Sequence, residues 1–181
     1  MNLPNKITIA RILLVPFFII VFLLPQIPYN NYIALAVFVI ASATDAVDGY
    51  IARKYKLITD FGKFMDPLAD KLLVCSALIC FIEVEEIYMP AWVVIVLIAR
   101  EFIISGFRLV AADKGVVIAA GIWGKLKTVC QMVMCIVLML QIPGQFFDVI
   151  GKVLVYLSLG LTIISLVDYI WKNKAVLEDE K

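Results

Sequence analysis

Asp45 and Asp48, followed after a basic stretch by Asp66 and Asp70, are the residues of this chain whose type and spacing best suit chemistry. On a helix Asp45 and Asp48 stand three residues apart and share a face, which Gly49 and Ala52 extend. Gly and Ala keep that face bare and leave room for a bulky ligand, while Arg53 at its edge can offer a forked cation to a phosphate. Eight residues separate Asp45 from Arg53, about 12 Å of helix, so the face opens into a shallow pocket near the helix end. After the basic turn, Gly62, Asp66 and Asp70 return to the same interface. Asp66 and Asp70 are i and i+4 if Pro67 lies in the first turn of its helix or at a kink. Four carboxylates with no His or Cys nearby form an oxygen-only donor set, which suits Mg2+ or Mn2+. Two such ions bridged by shared carboxylates would clamp a pyrophosphate and stabilise both oxygens of an in-line displacement.

Two other readings of these acids remain open. They could be structural, paired with Arg53, Lys54, Lys63 or Lys71 near a helix end, or they could line a cation or proton path through a transporter. Left uncompensated in a bilayer, four carboxylates would cost on the order of 10 kcal/mol, so something must offset them. Histidine is absent from the 181 residues, which excludes Ser-His-Asp triads, His-ligated zinc or iron and an imidazole acid-base catalyst. Cys75, Cys80, Cys130 and Cys135 sit in apolar runs at a spacing of five, which suits small core residues better than redox or zinc chemistry.

The elements that must position these groups are apolar. Hydrophobic residues make up 64% of the chain and its mean hydropathy is +1.01, too much apolar surface for a water-soluble domain of this length. Six segments of spanning length can be drawn, at 7–24, 32–53, 66–82, 91–110, 118–140 and 149–171. No flexible linker interrupts them, so residues 1–181 are expected to form one membrane domain. Connections punctuated by Pro25, Pro28 and Asn30, by Met89 and Pro90, and by Pro143 and Gly144 carry no Lys or Arg. The opposite ends hold Lys6, Arg11, Arg53, Lys54, Lys56, Lys63, Arg100, Arg108, Lys114, Lys125, Lys127, Lys172, Lys174 and Lys181; Lys152 alone breaks the pattern. The expected fold is therefore all-α and polytopic, with six transmembrane helices and both termini cytosolic. The first segment reads as a retained helix, not a signal peptide. Tyr29, Tyr32, Tyr88, Trp92, Tyr156, Tyr169 and Trp171 gather near segment ends, as aromatic belts do.

The stretch Asp45-x2-Asp48-Gly49-x2-Ala52-Arg53-x8-Gly62-x3-Asp66-x3-Asp70 resembles the complete signature of the CDP-alcohol phosphatidyltransferase family, with eight specified positions matched. The resemblance implies a homodimeric six-helix membrane enzyme that joins a CDP-linked lipid to an alcohol and releases CMP. It implies two divalent cations, Mg2+ or Mn2+, held by Asp45, Asp48, Asp66 and Asp70, with Asp70 also taking the proton from the acceptor hydroxyl. It further implies that Asp48, Gly49, Ala52, Arg53 and Gly62 shape the cytidine diphosphate site. Asn2 to Thr8 with Arg11 resembles the family's amino-terminal entry helix, where Asn5 and Thr8 could bond the nucleotide; helix capping and a membrane-surface anchor account for the same residues equally well.

Arg100, Arg108, Lys125 and Lys127 lie in apolar segments and ask for an anionic partner. One candidate is an acceptor phosphate, gripped by Arg in a fork and by Lys as a point charge. Snorkelling to anionic headgroups, or pairing of Arg100 with Glu101, is the alternative. The strings Arg100 to Arg108, Gly124 to Thr128 and Phe61 to Lys71 are similar to the phosphatidylglycerophosphate synthase subfamily, which implies glycerol 3-phosphate as acceptor. The partners expected on this resemblance are CDP-diacylglycerol, glycerol 3-phosphate, the lipid bilayer and a second copy of the chain, with no nucleic acid. The expected location is a bacterial cytoplasmic membrane, with the active site facing the cytosol. Inositol phosphate, serine or phosphatidylglycerol as acceptor, and a carboxylate-based cation transporter, stand as the alternatives.

Overall fold

A computed structural model of the chain describes residues 3–54, 60–116, 118–119 and 121–174; the side chains of 3–6, 45–54, 60–67 and 70 lie outside that description. Among the described residues there are six α-helices and no strand: α1 (Leu3–Leu23), α2 (Asn30–Lys54), α3 (Asp60–Glu83), α4 (Ala91–Asp113), α5 (Ile122–Leu140) and α6 (Gln145–Lys172). Two of them, α5 and α6, are long and apolar enough to cross a membrane. α6 exposes Ile163, Ile164 and Val167, large apolar side chains that water would penalise and lipid would not.

Several helix ends differ from the segments drawn on hydropathy, and the starts of α3, α5 and α6 have a physical reason. α3 begins at Asp60, not at residue 66, so Pro67 lies beyond the first turn with helical backbone on both sides. A proline there cannot supply the N–H that the Lys63 carbonyl would otherwise accept. α5 begins at Ile122, not at residue 118, because the chain must first leave α4. It does so through a glycine in the left-handed region, Gly115 at φ 74°, whose N–H donates to the Ala112 carbonyl (3.0 Å) while Val116 N–H reaches back to Ala111 (2.8 Å). This pair of bonds is the Schellman termination, and it satisfies carbonyls that a helix end leaves open. α6 begins at Gln145, directly after Gly144 at φ 138°, which brings Asp148 into its first turn, where a carboxylate complements the helix dipole.

By internal packing the chain divides into two compact units, Met1–Ile87 with Met139–Gln141, and Tyr88–Leu138 with Ile142–Lys181. In the first, α1 packs along both α2 and α3. Phe18 and Phe22 of α1 stack at 5.6 Å, Phe18 lies 6.2 Å from Phe38 of α2, and Phe22 meets Phe81 of α3 edge-on at 5.7 Å. All four rings are buried, and such rings dominate the packing of so small a core. Asn30 donates its side-chain amide to the Phe22 carbonyl (3.0 Å), and Asn31 donates to the Leu140 carbonyl (3.3 Å), closing two helix ends that would otherwise keep open acceptors.

In the second unit α4 packs along α6. The hydroxyls of Tyr88, just before α4, and Tyr156 of α6 lie 2.7 Å apart, and further along both helices the rings of Phe107 and Tyr169 meet edge-on at 5.5 Å, so the two helices run the same way. α5 lies antiparallel to α6. A Cβ at Gly121 would stand 3.7 Å from Asp168, and one at Gly151 would stand 3.1 Å from Leu138. Position 138 is seventeen past 121 and 168 is seventeen past 151, so one register fits both pairs.

Cys80, Cys130 and Cys135 are buried, Cys75 is half-buried and all four are free, in keeping with small core residues. Tyr29, Tyr32, Tyr88, Trp92, Tyr156 and Trp171 are exposed, as a belt requires, but Tyr169 is not. The buried stripe of α6, Val155, Ser158, Thr162, Ser165, ends on Tyr169 and carries its ring inward.

Candidate active site

On α1 the buried residues Phe22, Phe18, Val15, Arg11 and Thr8 follow one another at alternating steps of four and three, which is a single helix face. The face is aromatic at one end and polar at the other. Thr8 is 0% exposed and Arg11 only 1%. The charge pattern alone puts Arg11 at the bilayer surface; the structure buries it within the first unit.

The neighbouring helices repeat the design. On α2 the buried residues Ala34, Phe38 and Ala41 set a register that the same steps extend to Asp45, Asp48 and Ala52. On α3 the buried residues Cys80, Ala77 and Leu73 set one that extends to Asp70 and Asp66. Equal rise along packed helices then fixes their levels. Counting from the Phe18–Phe38 contact on antiparallel α1 and α2 brings Arg11 level with Asp45 and Thr8 level with Asp48. Counting from the Phe22–Phe81 contact on parallel α1 and α3 brings Arg11 level with Asp70. Backbone register therefore gathers the polar ends of three helices at one level of one unit. The side chains of Asn5, Asp45, Asp48, Gly49, Ala52, Arg53, Gly62, Asp66 and Asp70 lie outside the described residues, so these positions are given by helix and register alone.

The second unit holds the basic set. Arg100 of α4 and Lys127 of α5 are both buried and converge on one carboxylate. Arg100 Nη1 donates to Glu101 Oε1 at 3.1 Å, and Lys127 Nζ donates to the same oxygen. Gly124 lies beside this cluster: a Cβ there would stand 3.4 Å from Arg100 Nη2, in ordinary van der Waals contact. Glu101 thus bridges two buried cations. The other two expected residues are placed elsewhere in this unit: Arg108 is exposed with its guanidinium 5.8 Å from the Tyr169 ring centroid, and Lys125 is exposed on α5.

A family model described as CDP-alcohol phosphatidyltransferase matches residues 1–164. The chain belongs to that family. A CDP-alcohol phosphatidyltransferase of Bacillus subtilis (strain 168), named CDP-diacylglycerol--glycerol-3-phosphate 3-phosphatidyltransferase, is 43% identical over 98% of this chain and 97% of its own length. Proteins of the same name from Haemophilus influenzae and Shigella flexneri are 39% and 36% identical, over 98% and 99% of this chain and 96% and 98% of theirs. In this CDP-alcohol phosphatidyltransferase Asp45 and Asp48 belong to α2 and Asp66 and Asp70 to α3, two helices packed against the same third helix, and carboxylate oxygens are the donors that hard divalent cations take. Sequence reasoning named Arg11 and Glu101 without giving either a place in the site. A lone Arg inside a run as apolar as Ile7 to Leu23, and an acid next to a buried Arg, were the available signals.

Proposed function

We propose that the chain transfers the phosphatidyl group of CDP-diacylglycerol to glycerol 3-phosphate, giving phosphatidylglycerophosphate and CMP. What supports this reading is the backbone register that brings positions 45 and 70 level with the buried Arg11. Asp45, Asp48, Asp66 and Asp70 would hold two divalent cations, Mg2+ or Mn2+. When bound, such ions neutralise the diphosphate and make a nearby hydroxyl more acidic.

The protein's own groups do the rest. Asp70, ionised at neutral pH, accepts the proton of the acceptor's primary hydroxyl. That oxygen attacks the phosphorus bearing the diacylglycerol, the bond from this phosphorus to the CMP oxygen breaks, and CMP leaves with the electron pair. Asn5, Thr8, Asp48, Gly49, Ala52, Arg53 and Gly62 form the cytidine diphosphate subsite. Arg100 and Lys127 hold the acceptor phosphate, with Arg108 and Lys125 at its approach. The helices α1 to α6 cross a bacterial cytoplasmic membrane six times as one domain over 1–181, both termini and the active site on the cytosolic side, and two copies pair as a homodimer.

Purified protein given CDP-diacylglycerol and glycerol 3-phosphate should release CMP, and a chelator should stop it until Mg2+ or Mn2+ is returned. Inositol phosphate, serine and phosphatidylglycerol serve as competing acceptors. CMP release with one of these but none with glycerol 3-phosphate would refute the acceptor; ion movement into liposomes without CMP release would refute the reaction class.

A further inference from the structure

The second unit buries polar groups that the basic pair leaves unused. Gln131 of α5 is 2% exposed, and neither its amide nitrogen nor its amide oxygen has a hydrogen-bond partner; the hydroxyls of Ser158 and Thr162 on α6, both residues 0% exposed, are in the same position. Hydroxyls inside helices usually rest on a carbonyl three or four residues back. Thr44, Ser105, Thr128 and Ser165 do so here, to Ile40, Glu101, Gly124 and Thr162. Ser158 and Thr162 do not. A buried polar group costs free energy unless something bonds it, so three of them on two neighbouring helices point to a polar guest.

The register of α5 on α6 places them together. It sets Gln131 opposite Ser158 and Lys127 opposite Thr162. Gln131 also follows Lys127 by four residues on the same face of α5, about 6 Å along the helix. The basic pair and the uncharged polar set are thus separated by roughly the reach of a three-carbon phosphate ester. Their chemistry differs in a useful way. Arg100 and Lys127 only donate and are charged, whereas an amide and two hydroxyls each donate and accept, as an alcohol does.

We propose that Gln131, Ser158 and Thr162 form a hydroxyl-reading subsite that recognises the secondary hydroxyl of the acceptor while Arg100 and Lys127 hold its phosphate. This rests on the activity proposed above and assigns its acceptor specificity. A site built to bond a hydroxyl rejects the analogue lacking it, because its own polar groups are then left without partners.

The test compares glycerol 3-phosphate with 3-hydroxypropyl phosphate, which keeps the phosphate and the primary hydroxyl but lacks the secondary one. The protein should prefer glycerol 3-phosphate in kcat/KM, and Gln131→Leu and Ser158→Ala should each reduce that preference at least tenfold, mainly through a higher KM for glycerol 3-phosphate. Both substitutions put apolar or small groups in a buried place and so preserve folding, which a thermal midpoint in detergent checks. An unchanged preference in both variants overturns the subsite, and a raised thermal midpoint alongside it would mark the groups as helix packing only. CMP release by the unsubstituted protein with neither acceptor would instead overturn the activity itself, and the subsite with it.

Discussion

The two units differ in the charged residues that their helices bring to one level. In the first, the acids lie along helix faces that begin as aromatic core, and the described cation at their level, Arg11, comes from a third helix. In the second, Arg100 and Lys127 both meet one carboxylate, Glu101. On the activity proposed above, the first arrangement would offer carboxylates to divalent cations, and the second offers two cations bridged by one acid. A reaction between a diphosphate and a phosphorylated alcohol needs both, and burying one partner-matched set is less demanding than burying two uncompensated ones.

The largest break in that contrast is expected at the acids. Asp70→Asn should lower kcat for CMP release by about 10^3-fold, the range lost with a general base and metal ligand, and chelation should do the same to the unsubstituted protein. A substituted protein keeping a tenth of its activity would remove Asp70 from the mechanism. Lys127→Met comes next. Loss of a charge-assisted bond should raise KM for glycerol 3-phosphate about 10- to 100-fold with a smaller effect on KM for CDP-diacylglycerol, as titration of each substrate would reveal. Arg11→Met sharpens the comparison differently. If Arg11 offsets the acids, the substitution should lower the thermal midpoint more in chelator than in Mg2+, because bound cations can replace the lost charge; an equal drop in both would assign Arg11 to packing. Lys125→Ala, at an exposed position, should raise the same KM only about two- to threefold, and less still at high salt. Gly115→Ala should leave KM and kcat alone and destabilise by about 1–2 kcal/mol, since a Cβ is strained at φ 74°.

Much of this was legible in the residues. The acids announced themselves because carboxylates at i, i+3 and i, i+4 spacing are rare among apolar residues, and six helices follow from six apolar runs. Helix ends were less legible. Hydropathy does not see that Gly115 stops α4 and delays α5 to Ile122, nor that α3 reaches back through Pro67 to Asp60, because both are backbone matters. Burial was also misjudged where a residue's type suggested a surface. Tyr169 looked like a belt tyrosine and Arg11 like an anchor, yet each belongs to the stripe of three- and four-residue steps that its helix buries. The steps were present in the sequence, but which of several faces would be covered depends on neighbouring helices. Gln131, a single amide within Ile122–Leu140, was overlooked for want of a charge.

The Glu101–Lys127 pair has a consequence for biogenesis. α5 contains Lys125 and Lys127 and no acid of its own, so in crossing a membrane, as its length and apolarity allow, it would carry a charge it cannot neutralise. Its carboxylate lies 26 residues earlier, on a helix that the ribosome has already released. Translation order thus delivers the counter-ion before the cation, and a chain in which Glu101 is lost should stall or mis-thread at its fifth helix before catalysis is ever tested.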